Sequence, residues 1–286
     1  MSVLEFNEQE VRENFSSAPF AVHHSLSEHP LLKLDRLAQL ADSLPDSQVE
    51  HNVGDVPEVL PGGEAPRLDA TPGEIARGIE TNGCWMVLKL VETDPEYSAL
   101  LDEALDEVLP VVADREGKAT KKQAFIFLTA PNATTPLHTD PEENFLLQVK
   151  ARKQIEIGKW PTTEAEHAHL ERYYGGGHRN IDEMPPDSKG FILEPGDGVH
   201  VPLNAPHWVK NFDEVSISFS ITFNTARSEF LNDVYAVNAQ LRRLHLSPHP
   251  PGENRGSDRA KAALWRTMRR GKRAVQSVSG NGSNGS

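Results

Sequence analysis

His138 and Asp140 stand two residues apart in the stretch TTPLHTDPEENFLLQVKARKQIEIG, residues 134–158. In an extended strand, residues i and i+2 point to one face and lie roughly 6.5–7 Å apart, so an imidazole and a carboxylate so placed could converge on one ion. Two histidines and one carboxylate make a facial set that holds iron(II) or a similar ion and leaves positions open for substrate and dioxygen. The chemistry therefore needs a second histidine.

The chain carries 12 histidines. His23, His24, His29, His51, His245 and His249 sit among polar or proline-rich residues, where a surface position is expected. His167, His169 and His178 belong to an irregular insertion, EAEHAHLERYYGGGHRN, with neither the cysteines nor the regular spacing of a zinc cluster. His207 differs. It lies in PGDGVHVPLNAPHWVKN, where a turn and a short strand lead through a proline-marked loop into a further strand. That makes it the best third ligand. His200, in the same block, is the alternative, although its place two residues before Pro202 suits a strand core position.

The elements that must position these side chains fall into regions. Residues 1–119 read as mainly helical. Residues 29–45 carry Leu37, Leu40 and Leu44 at helical spacing, and Thr71 with Glu74 forms a capping-box pattern with Pro72 in the first turn. From an Asp-Pro cap, DPEYSALLDEALDEVLP lines up Tyr97, Leu101, Ala104, Leu105 and Val108. Between these lie an acidic linker rich in proline and glycine, residues 53–66, and a buried strand, residues 84–91.

Residues 120–225 are short apolar runs between turn residues, the texture of a β sandwich or barrel. The last run alternates Val215, Ile217, Phe219, Ile221 and Phe223 with Ser216, Ser218, Ser220 and Thr222, so its polar face is either solvated or lines a small cavity. An insertion at residues 160–189 contains Tyr173, Tyr174, a triple glycine, His178 and Arg179, and could act as a lid. Helical patterning returns over residues 226–273, and residues 274–286 read as a flexible tail.

The order HTD, NFLLQVKARKQIEI, GDGVHVPLNAPHWVKN, SISFSITF resembles the JmjC-type, cupin-like oxygenases that use iron(II) and 2-oxoglutarate. The resemblance covers about residues 120–225. It implies a mainly β core, a double-stranded β-helix, flanked by an α-helical N-terminal region and C-terminal helices. It also implies His138, Asp140 and His207 as metal ligands. The pattern is nearest to the protein hydroxylases of the family, asparaginyl hydroxylases included. These place a threonine three residues before the first histidine, an asparagine four after the acid and a lysine fifteen after the histidine. Thr135, Asn144 and Lys153 occupy those offsets and would bind the cosubstrate 2-oxoglutarate. Arg152 is the alternative anchor one residue away, because neighbouring strand residues face opposite sides. Thr222 stands where that group offers an asparagine. The implied reaction hydroxylates a C–H bond and releases succinate and CO2; demethylation would require an N-methyl substrate. Relatives of this kind also suggest a homodimer formed through C-terminal helices.

Bulk composition fits this reading. The 37% apolar and 25% charged residues describe a globular chain, and the net charge of −13 argues against a nucleic-acid surface over the whole protein. Charge is uneven: residues 255–286 hold eight basic side chains and one acid, +7, leaving −20 for the rest. One cysteine, Cys84, permits no internal disulfide, and no apolar leader or membrane-length run is present, so a cytoplasmic protein is expected. The substrate, whether protein, peptide or small molecule, stays open. Two other classes stay open as well: a cupin metalloenzyme that needs no 2-oxoglutarate, and a non-catalytic cupin-like binding or regulatory module.

Overall fold

The computed structural model describes residues 2–53 and 69–280. The linker read at residues 53–66 lies, from residue 54 on, outside the described residues, as does the tail beyond residue 280. The strands are β1 (Leu4–Glu5), β2 (Phe20–His24), β3 (Val49–Val53), β4 (Cys84–Leu88), β5 (Ala119–Thr129), β6 (Thr134–His138), β7 (Glu143–Lys150), β8 (Lys153–Gly158), β9 (Ser188–Leu193), β10 (Asp197–Val201), β11 (His207–Asn211) and β12 (Ser216–Thr225). The helices are α1 (Glu8–Asn14), α2 (Leu34–Ser43), α3 (Pro72–Arg77), α4 (Pro95–Glu116), α5 (Thr163–Tyr174), α6 (Ala226–Arg243) and α7 (Arg255–Gly280).

The strands form an eight-stranded sheet, ordered β1-β2-β10-β7-β12-β5-β4-β3, and a four-stranded sheet, ordered β6-β11-β8-β9. All pairings are antiparallel. This is the double-stranded β-helix that the family resemblance implied. The alternation in β12 sets the layering, because its two faces meet different surroundings. Ile217, Phe219, Ile221 and Phe223 join the main core with residues of α2, α3 and α4, among them Leu37, Ile75 and Tyr97. Each such side chain contributes about 1.5–3 kcal/mol on burial. Ser216 and Ser218 are 0% exposed, Ser220 2% and Thr222 6%, so the polar face lines an interior rather than meeting solvent. A smaller apolar cluster joins Leu146, Ile155, Ile157, Leu193, Val199 and Val201 of β7 to β10.

Helix starts follow the sequence signals. Thr71 and Glu74 form both hydrogen bonds of a capping box before α3. Asp94 accepts from the Glu96 N–H to cap α4, with Pro95 in the first turn. That helix runs through Pro110 to Glu116, because Val111 and Val112 bury against the core and hold the turn that proline weakens.

Several expectations are corrected. The N-terminal region, read as mainly helical with one strand at residues 84–91, holds three further strands, since β1, β2 and β3 join the larger sheet. Their sequences, such as VEHNV, are short and polar, and tertiary pairing rather than intrinsic preference makes them strands. His24 is buried, against its expected surface position. β10 pairs closely with β2 and β7 at Gly198, where an added Cβ would lie 2.7 Å from Leu147 Cδ2 and 2.9 Å from Val22 Cγ2, both buried and unable to retreat.

The chain divides into two compact units, residues 1–161 with 179–226, and residues 162–178 with 227–286. Both sheets and the N-terminal helices thus belong to one unit. The insertion read as irregular at residues 160–189 contains α5, capped by the Thr162 hydroxyl accepting from Ala165 N–H, and this part groups with the C-terminal helices. α7 continues to Gly280, past the expected end at residue 273. Within this second unit, Asp233 on α6 accepts from Arg266 and Arg269 of α7, each at 2.8 Å, and Asn238 donates to Glu171 of α5 at 3.1 Å. Among the described residues no helix is long and apolar enough to cross a membrane.

Candidate metal centre

β6 and β11 pair antiparallel with His138 directly opposite His207, which brings together two residues that are far apart in sequence. Their rings are 4.2 Å apart between centroids and tilted by 50°. Asp140 is not on the strand, as the i, i+2 argument assumed, because β6 ends at His138. Its backbone carbonyl instead accepts from Asn204 N–H at 2.9 Å, in the loop that leads to His207. Asp140 Oδ2 lies 3.6 Å from Nε2 of each histidine, and one ligand atom from each of the three residues lies within 4.8 Å of the others. Among the described residues this is the one cluster of its kind.

The surroundings prepare the three groups as ligands. His138 Nδ1 faces Pro136 O at 2.7 Å and His207 Nδ1 faces Ala205 O at 2.9 Å. A carbonyl can only accept, so each Nδ1 carries the hydrogen and each Nε2 keeps its lone pair for an ion. Burial, with His138 adjacent, pushes His207 down to about 4, which keeps it neutral. For Asp140, burial acts to raise the carboxyl, but Arg179 and the two imidazoles outweigh it and hold the group far below the usual carboxylate range. Arg179 Nη1 donates to Asp140 Oδ1 at 2.7 Å, leaving Oδ2 turned toward the histidines. The Arg179 backbone is fastened to β6, its carbonyl accepting from Thr139 N–H and the nearby Ile181 N–H donating to Leu137 O.

His200 takes no part in this cluster. Its Nε2 meets Glu143 at 3.1 Å, and its ring stacks on Phe15 and Phe20 with centroids 4.7 and 4.6 Å away.

A second set of polar groups lies between the sheets. Lys153 is 3% exposed and donates to Ser218 Oγ at 2.5 Å. Ser218 donates to Gln148 Oε1 at 2.7 Å, and Ser220 donates to Asn144 Oδ1 at 2.8 Å. Thr222 is cross-strand to Asn144, and its Oγ1 is buried without a hydrogen-bond partner. Among the described residues no carboxylate pairs with Lys153, and burial pushes its ammonium down to about 7. Its neighbour Arg152 turns the other way and stacks on the Phe212 ring at 4.7 Å. Thr135 is half-buried in β6, paired with Val209.

A buried cation without an anion and a buried hydroxyl without a partner are both costly unless a ligand satisfies them. A dicarboxylate fits this donor set, and two imidazoles with one carboxylate fit iron(II).

Some of these groups were hidden in the sequence. The serine alternation marked a polar face, solvated or lining a cavity, and burial of Ser216, Ser218 and Ser220 selects the interior position. Nothing singled out Arg179 as a partner of Asp140, a contact spanning 39 residues, or Gln148 as a partner of Ser218, spanning 70.

The curled sheets give the chain a cupin-like fold, and the buried histidine-aspartate cluster is its candidate metal centre. Residues 106–231 match the model of the JmjC domain. Lysine-specific demethylase 8 of Xenopus tropicalis is 29% identical over 100 residues, covering 31% of this chain and 22% of that protein. Its Danio rerio counterpart is also 29% identical over 100 residues, covering 24% of its own length. The match thus spans under a quarter of these curated relatives. Among solved structures, Escherichia coli YcfD matches with a TM-score of 0.52 at 16% identity, over 93% of this chain and 68% of that one. A structure of YcfD described as a ribosomal oxygenase in complex with cobalt and 2-oxoglutarate matches with a TM-score of 0.50 at 16% identity, over 93% and 67%. At such identity these likenesses establish the fold.

Proposed function

We propose that the protein is an iron(II)- and 2-oxoglutarate-dependent oxygenase that hydroxylates a C–H bond of a protein, peptide or small molecule, with release of succinate and CO2. One observation carries this over a metal protein that ignores 2-oxoglutarate: the buried Lys153 ammonium faces Ser218 with no carboxylate among the described residues as counter-charge. A cupin site with no use for a dicarboxylate has no need of that costly group.

In this reading His138, Asp140 and His207 hold the iron, while Lys153, Thr135, Asn144 and Thr222 hold the cosubstrate. The bound pair supplies oxidising power drawn from dioxygen as 2-oxoglutarate is converted to succinate. The chain's own residues prepare the site for it. Pro136 and Ala205 carbonyls fix both imidazole tautomers, Arg179 holds Asp140 charged and aimed, and Lys153 offsets the cosubstrate's far carboxylate. Incubating the protein with iron(II), ascorbate and 2-oxoglutarate tests the reading. Metal-dependent succinate is expected, and neither succinate nor 2-oxoglutarate binding by calorimetry would remove it.

Arg179→Ala is expected to weaken metal binding about 10–100-fold, the usual effect of losing a partner that orients a ligand. Titration of manganese(II) by calorimetry would read this, and an unchanged affinity would mean that Asp140 is oriented without Arg179.

A ribosomal oxygenase among the fold neighbours favours a protein substrate. The curated relatives are named demethylases, and that outcome would release formaldehyde from an N-methyl substrate, which distinguishes the two reactions. Cys84 is free and buried, which suits a reducing, cytoplasmic setting. Leu264 and Met268, one turn apart on α7, are 53% and 52% exposed, and this apolar strip supports a homodimer through the C-terminal helices. Light scattering after size exclusion should give twice the chain mass at micromolar concentration; a monomer mass would refute it.

A further inference from the structure

Hydrogen-bond directions between the sheets can be followed from one end to the other. Gln148 Nε2 donates to Lys150 O at 2.6 Å and Ala151 O at 2.9 Å, in the turn joining β7 to β8. Two carbonyls can only accept, so the amide is held with its nitrogen toward the turn and Oε1 toward β12. Oε1 must then accept, and the hydrogen it receives is that of Ser218, at 2.7 Å. With its hydrogen so committed, the Ser218 oxygen offers a lone pair to Lys153 Nζ, at 2.5 Å. A third contact, Gln148 Nε2 to Ser216 Oγ at 2.9 Å, ties the amide to the same strand.

The far end of the chain is anchored as firmly. Ala151 sits at φ +59°, a conformation that L residues adopt at a cost, and the Gln148 amide braces this turn immediately before Lys153. The Gln148 backbone carbonyl accepts from Gly196 N–H and from His24 Nε2, each at 2.9 Å. The tautomer of His24 is set in turn by Leu26 N–H, which donates to Nδ1 at 3.1 Å. An N-terminal strand thus stands behind the anchor of the pocket.

We propose that Gln148 and Ser218 are positioning residues for 2-oxoglutarate: a one-way hydrogen-bond relay that aims the Lys153 ammonium at the cosubstrate's far carboxylate and so sets selectivity for a dicarboxylate. The inference rests on the oxygenase reading above. The relay acts on one end of the ligand only, because Ser218 touches the lysine and not the metal cluster.

The test compares two ligands by calorimetry on the full chain loaded with manganese(II), which prevents turnover. One is 2-oxoglutarate; the other is 2-oxopentanoate, which keeps the keto acid end and lacks the far carboxylate. Ser218→Ala is expected to lose about tenfold in affinity for 2-oxoglutarate, the worth of one charge-assisted hydrogen bond, with no change for 2-oxopentanoate. Ser218→Thr, which keeps the hydroxyl, should restore the preference. In a Lys153→Ala background, Ser218→Ala should have no further effect, since the relay then has nothing to aim. A preference reduced less than fivefold in Ser218→Ala overturns the relay, as does an equal loss for both ligands, which would mark a general structural defect. Gln148→Met gives a second reading should Ser218→Ala fail to fold. If the unaltered protein binds neither ligand, the oxygenase reading itself fails, an outcome distinct from failure of the relay.

Discussion

Replacing His138 with alanine is expected to reduce iron-dependent succinate release by at least on the order of 100-fold, more than the loss of an orienting partner costs in such sites. The reason is geometric. His138 and His207 supply opposed Nε2 atoms across the β6–β11 pair, and Asp140 Oδ2 sits 3.6 Å from both, so removing one imidazole leaves two ligands that no longer enclose an ion. The fold should survive, because Asp140 keeps Arg179 and its backbone bond from Asn204. Thermal unfolding separates the two effects. Metal at about 100 times its Kd stabilises a native site by about 2.7 kcal/mol, so the unaltered protein should melt several degrees higher with manganese(II). The variant should show no such shift while melting near the parent value without metal. His200→Ala is the contrast. That ring is stacked between Phe15 and Phe20 and bonded to Glu143, so its loss should lower the melting temperature and leave the metal-induced shift in place. Retained turnover in His138→Ala, with turnover lost in His200→Ala, would move the metal site to the wrong histidine and sink the assignment.

What the sequence revealed of this site follows from how local each signal is. The alternation of β12 marked a polar face, and the family offsets separately picked out Lys153 and Asn144; in the structure Lys153 meets Ser218 and Asn144 meets Ser220. Spacing alone could not tell which of Lys153 and Arg152 faces inward; in the pleat Lys153 enters the interior and Arg152 stacks on Phe212. Helix caps at Thr71 and Asp94 were legible because their hydrogen bonds lie within three residues. The strands β2 and β3 were not, since their partners β10 and β4 lie far along the chain. The same holds for Arg179, and for α5, whose polar sequence shows little of the burial of His169, Leu170 and Glu171. Asp140 shows the limit of the i, i+2 argument, because it reaches the histidines from beyond the strand end.

Lys153→Met should move stability and ligand binding in opposite directions. In the protein without cosubstrate, Lys153 is buried with no paired carboxylate among the described residues, and burial lowers its pKa from 10.5 to about 7. Between these values the unfolded chain binds a proton that the folded chain does not, so this group makes stability rise with pH from about 7 to 10.5. Below about 7 both states carry the charge, and the folded state bears the full cost of desolvating it. Methionine fills similar volume without charge, so at neutral pH the variant should be more stable than the parent by about 1–4 kcal/mol, and the rise with pH should flatten. Cosubstrate reverses the order. A dicarboxylate supplies the missing anion, so the parent should gain stability from 2-oxoglutarate with manganese(II) present, and its binding above about pH 7 should take up a proton. The variant should bind 2-oxoglutarate on the order of 100-fold more weakly, the loss of a buried charge-assisted hydrogen bond. Melting curves with and without 2-oxoglutarate, recorded from pH 6.5 to 9.5, would read both effects at once. A variant less stable than the parent at neutral pH, with 2-oxoglutarate affinity unchanged, would make Lys153 a structural residue and hand the carboxylate to another group.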